Sequence, residues 1–255
     1  MQKTNRSLER GLALLRLLEL KGPMTLSGLA RQADLPKATT SRLLLTLGEE
    51  GWVYRRRNDG LYVATLPQSG VETGPDRGRL ARAALPYLLD LTAVTGLAAD
   101  LTWLVEDGVL EVIESTREQQ PGGVDPKVAG FRPSLVFSAP GRALLAASDM
   151  ASRARHLAHV ARMDSPAERL AMTRGQLTAE LAATKKRGYA QRAAGYWPQS
   201  SDYGREPMDI AVPIGTEGCL SLVWPAEAHE AAEIAAANLR LMQDVARTIA
   251  RAVKA

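Results

Sequence analysis

The chain has 255 residues, 45% of them hydrophobic and 24% charged, the composition of an ordinary globular protein long enough for two domains. A single cysteine, Cys219, excludes an internal disulfide, and no apolar run approaches the ~18 residues of a membrane span, so a reducing cytoplasm without a membrane partner is the expected setting. The net charge of +4 is uneven: residues 1–67 hold 11 Lys/Arg against 6 Asp/Glu and the remainder 21 against 22, which confines a phosphate-seeking surface to the first quarter.

The polar start MQKTNRSLERG passes directly into a helical pattern, without the look of a signal peptide. Ser7 is placed to cap a first helix whose apolar face is read as Leu8, Leu12, Leu15, Leu18 and Leu20, widened by Ala13, Leu14 and Leu17, and Gly22-Pro23 ends it. Thr25 can cap a second, short helix over Leu26 to Ala33. Asp34-Leu35 breaks the pattern, and Pro36 stands at the start of a third helix, where its missing N–H costs nothing. In that helix Thr40, Leu43, Leu44 and Leu47 form one apolar stripe, and Lys37, Ala38, Ser41, Arg42 and Leu45 occupy the opposite face. Gly51 closes it. Trp52 to Arg57 and Leu61 to Thr65 read as two strands around the turn signal Asn58-Asp59-Gly60.

Helix, turn, helix and basic hairpin in this order make a DNA-reading winged helix-turn-helix. Lys37, Thr39, Ser41 and Arg42 are the expected groove residues. Arg42 is suited either to a guanine, whose O6 and N7 match its planar fork, or to a phosphate. Arg56, Arg57 and Asn58 on the wing are expected to position the duplex through its backbone.

Pro67 to Gly78 is a Gly/Pro-rich linker, followed by a helix from about Asp76 to Gly96 that Pro86 interrupts. Beyond it, 97–105 and 109–115 read as strands, 117–127 as a polar loop and 128–137 as extended chain around Pro133. Ser138-Ala139-Pro140-Gly141 opens a helix, two further helices are placed at 149–162 and 165–187, and a short strand follows Gly188. Segments 208–214 and 219–224 form a central hairpin, and 226–254 a closing Ala-rich helix. The fold class is therefore α+β: residues 1–67 a winged helix-turn-helix domain, 68–96 a linker and connecting helix, and 97–255 a second domain built on an antiparallel sheet.

No chemistry announces itself. His156 and His159 lie three apart on one helix without a carboxylate-rich partner motif, and a Gly-rich phosphate loop and a nucleophile elbow are both lacking. No metal, cofactor or enzymatic activity is expected.

Several stretches carry a resemblance: SLERGL at 7–12, LPKATTSRLL at 35–44, EGWV at 50–53, SAPGRALLA at 138–146, KRGYA at 186–190 and IAVPI at 210–214. In this order they resemble the IclR family of bacterial transcription regulators over essentially the full chain. Asp34 stands where the family usually has a turn glycine, Ala38 where a serine is common and Thr40 where an apolar residue is common. The resemblance implies a GAF-like effector-binding domain for a small organic acid. It also implies homodimers or tetramers on a palindromic operator in double-stranded DNA, and RNA polymerase stands as a further candidate partner.

Carried over by position, the resemblance places the ligand among Ala139, Pro140, Arg192, Asp209, Ser221 and Val223. The helix start after Pro140 offers N–H groups to a carboxylate, with Arg192 or Arg132 as its ionic partner. Phe137 is either a ligand contact or core packing. The stretches GYAQRAAGYWPQSSDY and CLSLVW look like the subgroup sensing phenylpropionate- or benzoate-type acids, with glyoxylate- or pyruvate-sized effectors as rivals. Two other readings stand beside this one: a small-acid-metabolising enzyme with a winged-helix docking module, and an interaction module without ligand.

Overall fold

A computed structural model describes residues 5–50, 52–56, 60–64, 76–119, 124–126, 128–162, 165–173, 175–196 and 205–253. The chain separates into two compact units, 1–82 and 83–255.

The first unit holds α1 (Arg6–Lys21), α2 (Leu26–Gln32), α3 (Lys37–Glu49) and the two-stranded antiparallel hairpin β1 (Val53–Arg55) and β2 (Tyr62–Ala64). Asn5, not Ser7, caps α1: its side chain accepts the N–H groups of Ser7 and Leu8 at 3.0 and 3.2 Å. Thr25 caps α2 through Gly28 N–H. The core is Leu14, Leu15, Leu18, Leu29, Leu44 and Val53. The expected α1 face is thus only half right: Leu15 and Leu18 are buried, whereas Leu8, Leu12 and Leu20 are exposed, because the unit covers only one side of the helix. Between α2 and α3, Asp34 has φ 51°, the left-handed turn geometry that glycine takes without strain and that Asp tolerates better than most residues. Thr40, at the centre of the α3 stripe, is fully buried because its hydroxyl donates to the Pro36 carbonyl at 3.1 Å.

α4 (Arg77–Thr95) crosses the division between the units as one helix, and Pro86 lies inside it without ending it. The second unit is built on a five-stranded antiparallel sheet of β3 (Ala98–Glu106), β4 (Val109–Ser115), β5 (Ala190–Gln191), β6 (Pro207–Ile214) and β7 (Gly218–Pro225), in spatial order β4-β3-β7-β6-β5. α5 (Ala139–Ala147) packs on β6 and β7 over Ala211 and Cys219. α6 (Met150–Arg162), α7 (Pro166–Thr173) and α8 (Gln176–Arg187) follow, and α9 (Ala231–Ala252) packs against β6. The single helix read over 165–187 is two, separated at Gly175, whose φ of 71° opens α8. Segment 128–137 is irregular: turns at 129–130 and 135–137 flank a stretch around Pro133 that has no regular structure. It docks on β4 at one residue, with Val112 N–H donating to Phe131 O and Gly130 N–H to Val112 O, each at 2.8 Å, and Pro133 has no N–H with which to extend a ladder.

Strand register decides what faces α5. Asp100 pairs with Ser221, and Ser221 with Ala211; Ala98 pairs with Val223, and Val223 with Asp209. Paired residues share a face, and alternation keeps i and i+2 together. Asp100, Thr102, Asp209, Ala211, Cys219, Ser221 and Val223 therefore lie on one face. α5 covers its Ala211–Cys219 part, and the polar part is left to a cleft.

Candidate functional site

In the first unit the expected groove residues lie on one turn and a half of α3. Lys37, Ser41 and Arg42 are exposed and Thr39 is half-buried, while Thr40 and Leu44 face inward. The helix thus turns small polar and basic side chains outward because its apolar stripe is spent on the core. The wing differs from expectation. Arg56 is only 5% exposed, so it is not presented at the surface, whereas Arg55 is exposed, stacked 5.8 Å from the Tyr62 ring and donating to Gly60 O at 3.2 Å. Arg57 and Asn58 lie outside the described residues, as does Gly51.

In the second unit a cleft of about 720 Å³, part of it open to solvent, lies over the polar portion of the sheet face. Asp100, Thr102, Val112, Asp209 and Ser221 form its floor, and Ser138, Pro140, Arg192 and Tyr196 form one side. Val128, Phe131, Pro133 and Pro207 give it apolar wall, and Arg117, Asp125 and Arg205 complete it.

Two buried ion pairs dominate the floor. Arg117 donates through Nε to both oxygens of Asp100 at 3.2 Å and through Nη2 to Oδ2 at 2.6 Å, and Ser115 Oγ donates to Oδ1 at 2.7 Å. A further Arg117 nitrogen, Nη1, reaches the Asp125 carbonyl at 3.3 Å. Asp100 is thereby fully engaged, as a carboxylate 3% exposed must be. The second pair is looser. Arg192 Nε donates to Asp209 Oδ1, and Nη1 to the Tyr196 carbonyl at 3.3 Å. The Arg192 guanidinium lies 5.6 Å from the Tyr196 ring.

Four hydrogen bonds hold the side wall. Tyr196 Oη accepts Ser134 N–H at 2.8 Å, and burial raises the phenol above its ordinary pKa of 10.0, so it stays neutral. Ala193 N–H donates to Phe137 O at 2.8 Å, and Arg142 on α5 donates to the carbonyls of Val136 and Gln191, both at 2.9 Å. α5 itself sits close because Gly141 has no side chain: a Cβ there would lie 2.5 Å from Leu135 O.

Of the residues expected around a ligand, the cleft brings together Pro140, Arg192, Asp209 and Ser221. It does not include the other four. Ala139 is buried in the α5 core, and Phe137 packs against that core with its ring 5.9 Å from Tyr196. Val223 packs with Ala98 and Val124, and Arg132 reaches out to Glu111 at 3.4 Å. The α5 start is also less open than expected. Ser138 Oγ already accepts Gly141 N–H at 3.0 Å, and Pro140 has no N–H to give. Sequence reasoning did not single out Asp100, Arg117 and Arg205, which also line the cleft. An Asp in an otherwise apolar strand pattern, LAADLTWLV, was the available signal for the first. Cys219 donates to Pro140 O at 3.2 Å, and burial pushes its thiol pKa far up, which makes it inert packing. Among the described residues no group of three or more His, Cys, Asp or Glu is placed to hold a metal ion, and no helix is long and apolar enough to cross a membrane.

The architecture is shared with solved structures. An IclR homolog from Microbacterium hydrocarbonoxydans complexed with 4-hydroxybenzoate covers 97% of this chain and 99% of its own, at 21% identity and TM-score 0.52. The IclR of Thermotoga maritima covers 98% and 99% at 20% identity and TM-score 0.52, and an IclR transcriptional regulator from Alicyclobacillus acidocaldarius covers 98% and 100% with the same identity and score. At these identities the likeness concerns the fold. Among characterised relatives, the Pca regulon regulatory protein of Pseudomonas putida is 30% identical over 158 residues, a match spanning 59% of this chain and 52% of that protein, about half its length. The IclR helix-turn-helix domain matches residues 7–57, and the C-terminal domain of bacterial IclR transcriptional regulators matches residues 76–198. The chain belongs to the IclR family of bacterial transcriptional regulators.

Proposed function

We propose that this regulator reads a palindromic operator as a homodimer or a pair of dimers, and that a small aromatic carboxylic acid bound in the second unit controls that binding. Lys37, Thr39, Ser41 and Arg42 are the base- and phosphate-contacting residues of α3, and Arg57 and Asn58 extend the contact along the wing. In place of Arg56, which is buried, the exposed Arg55 serves the backbone. The exposed Leu8, Leu12 and Leu20 of α1 support self-association of the DNA-reading unit, since a monomer gains nothing from leaving them in water.

The single observation that carries the effector reading is the cleft's composition. An apolar and aromatic wall of Val128, Phe131, Pro133, Tyr196 and Pro207 faces a floor of paired charges. A ring fits the wall, and Arg117, Arg192 and Arg205 supply positive charge for a carboxylate. The lining holds three Arg and three Asp, so one carboxylate leaves a net charge of −1 and a second would leave −2. Monocarboxylates are therefore favoured over dicarboxylates. The relative of Pseudomonas putida and the 4-hydroxybenzoate complex of the Microbacterium homolog support the aromatic class. Beside the cleft, Thr116, next to Arg117, shares a 2.6 Å hydroxyl hydrogen bond with Thr92 on α4. The acid acts by favouring one of two arrangements, by no more than its difference in affinity for them.

The test is a thermal-shift screen against aromatic monocarboxylic, dicarboxylic and 2-oxo acids, together with selection of a preferred duplex from random DNA. An aromatic monoacid at about 100 times its Kd is expected to raise the melting temperature by roughly 5–10 °C. A flat response to every acid contradicts the effector reading, and failure to enrich any duplex contradicts the operator reading.

A further inference from the structure

The outward face of α3 carries an apolar side chain that hydrogen bonding to DNA does not use. Thr40 and Leu44 are buried, and Leu43 and Leu47 are half-buried against the core of the first unit. Leu45 is 64% exposed. At about 100° of rotation per residue, Ser41 lies about 40° round the helix from Lys37, Leu45 about 80° and Arg42 about 140°. Leu45 is therefore at the middle of the face whose edges are Lys37 and Arg42, and not at the margin of the core stripe. Ala38, about 100° round from Lys37, is exposed on the same face.

A leucine scattered alone on a surface asks for no explanation. This one stands where a duplex would be read, and charge limits what can cover it. Lys37 and Arg42 flank it and both are exposed, so a second copy of the chain seated on the same face would set like charges against each other. A polyanion meets no such penalty: α3 holds no acidic residue before Glu49, its last, and residues 1–67 hold 11 Lys/Arg against 6 Asp/Glu. Reach agrees. Leu45 lies four residues beyond Ser41, about 6 Å along the helix axis, which is less than two base steps of about 3.4 Å. A helix that holds Ser41 over base edges in the major groove keeps Leu45 in that groove as well.

The groove then selects the base. A leucine side chain can neither donate nor accept, and over guanine, adenine or cytosine it would cover N7, O6 or an amino group without pairing it. Thymine alone presents an apolar group there, its 5-methyl. We propose that Leu45 is a specificity-determining residue that reads thymine in the operator through this methyl group. The inference rests on the operator reading above and adds a base preference to it.

Uracil in place of thymine removes the methyl group and leaves each hydrogen-bonding atom of the base where it was. The duplex selected by the full chain is therefore remade with each thymine in turn replaced by uracil, and affinities are measured by fluorescence anisotropy at fixed salt. The parent is expected to lose about three- to fivefold at one or more thymines, the size of one buried methyl group. Leu45→Gln, a change that keeps length and helix preference, should bind the two forms of that site within about twofold, and Leu45→Ala should also reduce the difference. Melting curves and sedimentation equilibrium of each variant establish that fold and assembly are kept. If no uracil costs the parent affinity, or if the penalty persists in folded Leu45→Gln and Leu45→Ala, the thymine contact is overturned while the operator reading stands. Loss of self-association with the penalty intact assigns Leu45 to a contact between copies and overturns it equally. If no duplex is enriched in the selection, the operator reading falls and the thymine contact with it.

Discussion

The two halves of the molecule carry the residues we propose to be functional in opposite ways. In the DNA-reading unit they are what the core leaves over: Leu44 and Thr40 of α3 go inward, and Lys37, Ser41 and Arg42 are consequently outside. In the effector unit the working residues are themselves buried. Asp100, Arg117, Arg192, Asp209 and Ser221 are each at least nine-tenths hidden, and the floor of the cleft is made of them. The lesson is energetic. An exposed recognition face is nearly free of consequence for folding, whereas a buried polar site is also a structural element, since each charge removed from water needs its partner.

The largest effect that would break this comparison is at the tighter ion pair. Arg117→Ala leaves the Asp100 carboxylate buried without its cation and is expected to cost about 3–5 kcal/mol, roughly a 10 °C fall in melting temperature by calorimetry. The double replacement Arg117→Met with Asp100→Leu removes both charges and should recover most of that loss. A single variant as stable as the parent would mean the pair is not the structural element described.

Next is Arg42→Ala, the opposite case. Operator affinity should fall by about 1–3 kcal/mol, measured by anisotropy on the selected duplex, with the melting temperature unchanged. Lys37→Ala should weaken all duplexes alike and reduce the dependence of log K on log salt by about one unit. A stability loss in either variant would erase the contrast between the halves.

Smaller again is the turn before α3. Asp34→Val forces a β-branched residue to φ 51° and should cost about 1–2 kcal/mol, while Asp34→Gly should be neutral or slightly stabilising in chemical denaturation.

The smallest effect expected is a pH dependence. His156, 3% exposed, accepts Gly108 N–H on Nδ1 at 3.2 Å, which requires the neutral ring. Burial lowers its pKa below the ordinary 6.5, against the opposing pull of Asp107. A histidine whose folded pKa is depressed gives its full stabilisation above 6.5 and loses it as the pH falls below that value. Unfolding midpoints should therefore drop between neutral and mildly acidic pH, and His156→Gln should flatten that part of the profile.

The difference between the halves also explains what could be read from the sequence. Helix period, caps and the turn at Asp34 are local, so α2, α3 and the hairpin were legible. The exposed Leu8 and Leu20 were misread as core because a leucine-rich helix does not say which side its neighbours occupy. The continuous α4 was obscured by Pro86, which ends helices more often than it rides inside them. In the effector unit the strands were legible as short, largely apolar runs. The site was not, because it is assembled from register: Asp100 meets Arg117 and Arg192 meets Asp209 across separations of 17 residues, and Ser221 joins Asp100 only through strand pairing. Pro140, Arg192, Asp209 and Ser221 were named by resemblance, while Arg117 and Asp100, which no periodicity marks, were not.

The central claim is that occupancy of the buried cleft changes what the exposed helix does. The most direct test is the affinity of the full chain for its selected duplex, measured by fluorescence anisotropy at fixed salt with and without a saturating acid from the thermal screen. A shift in Kd of about fivefold or more in either direction is expected, and by linkage the acid's own affinity should change by the same factor when the duplex is bound. Identical Kd values with the cleft filled and empty would contradict the account.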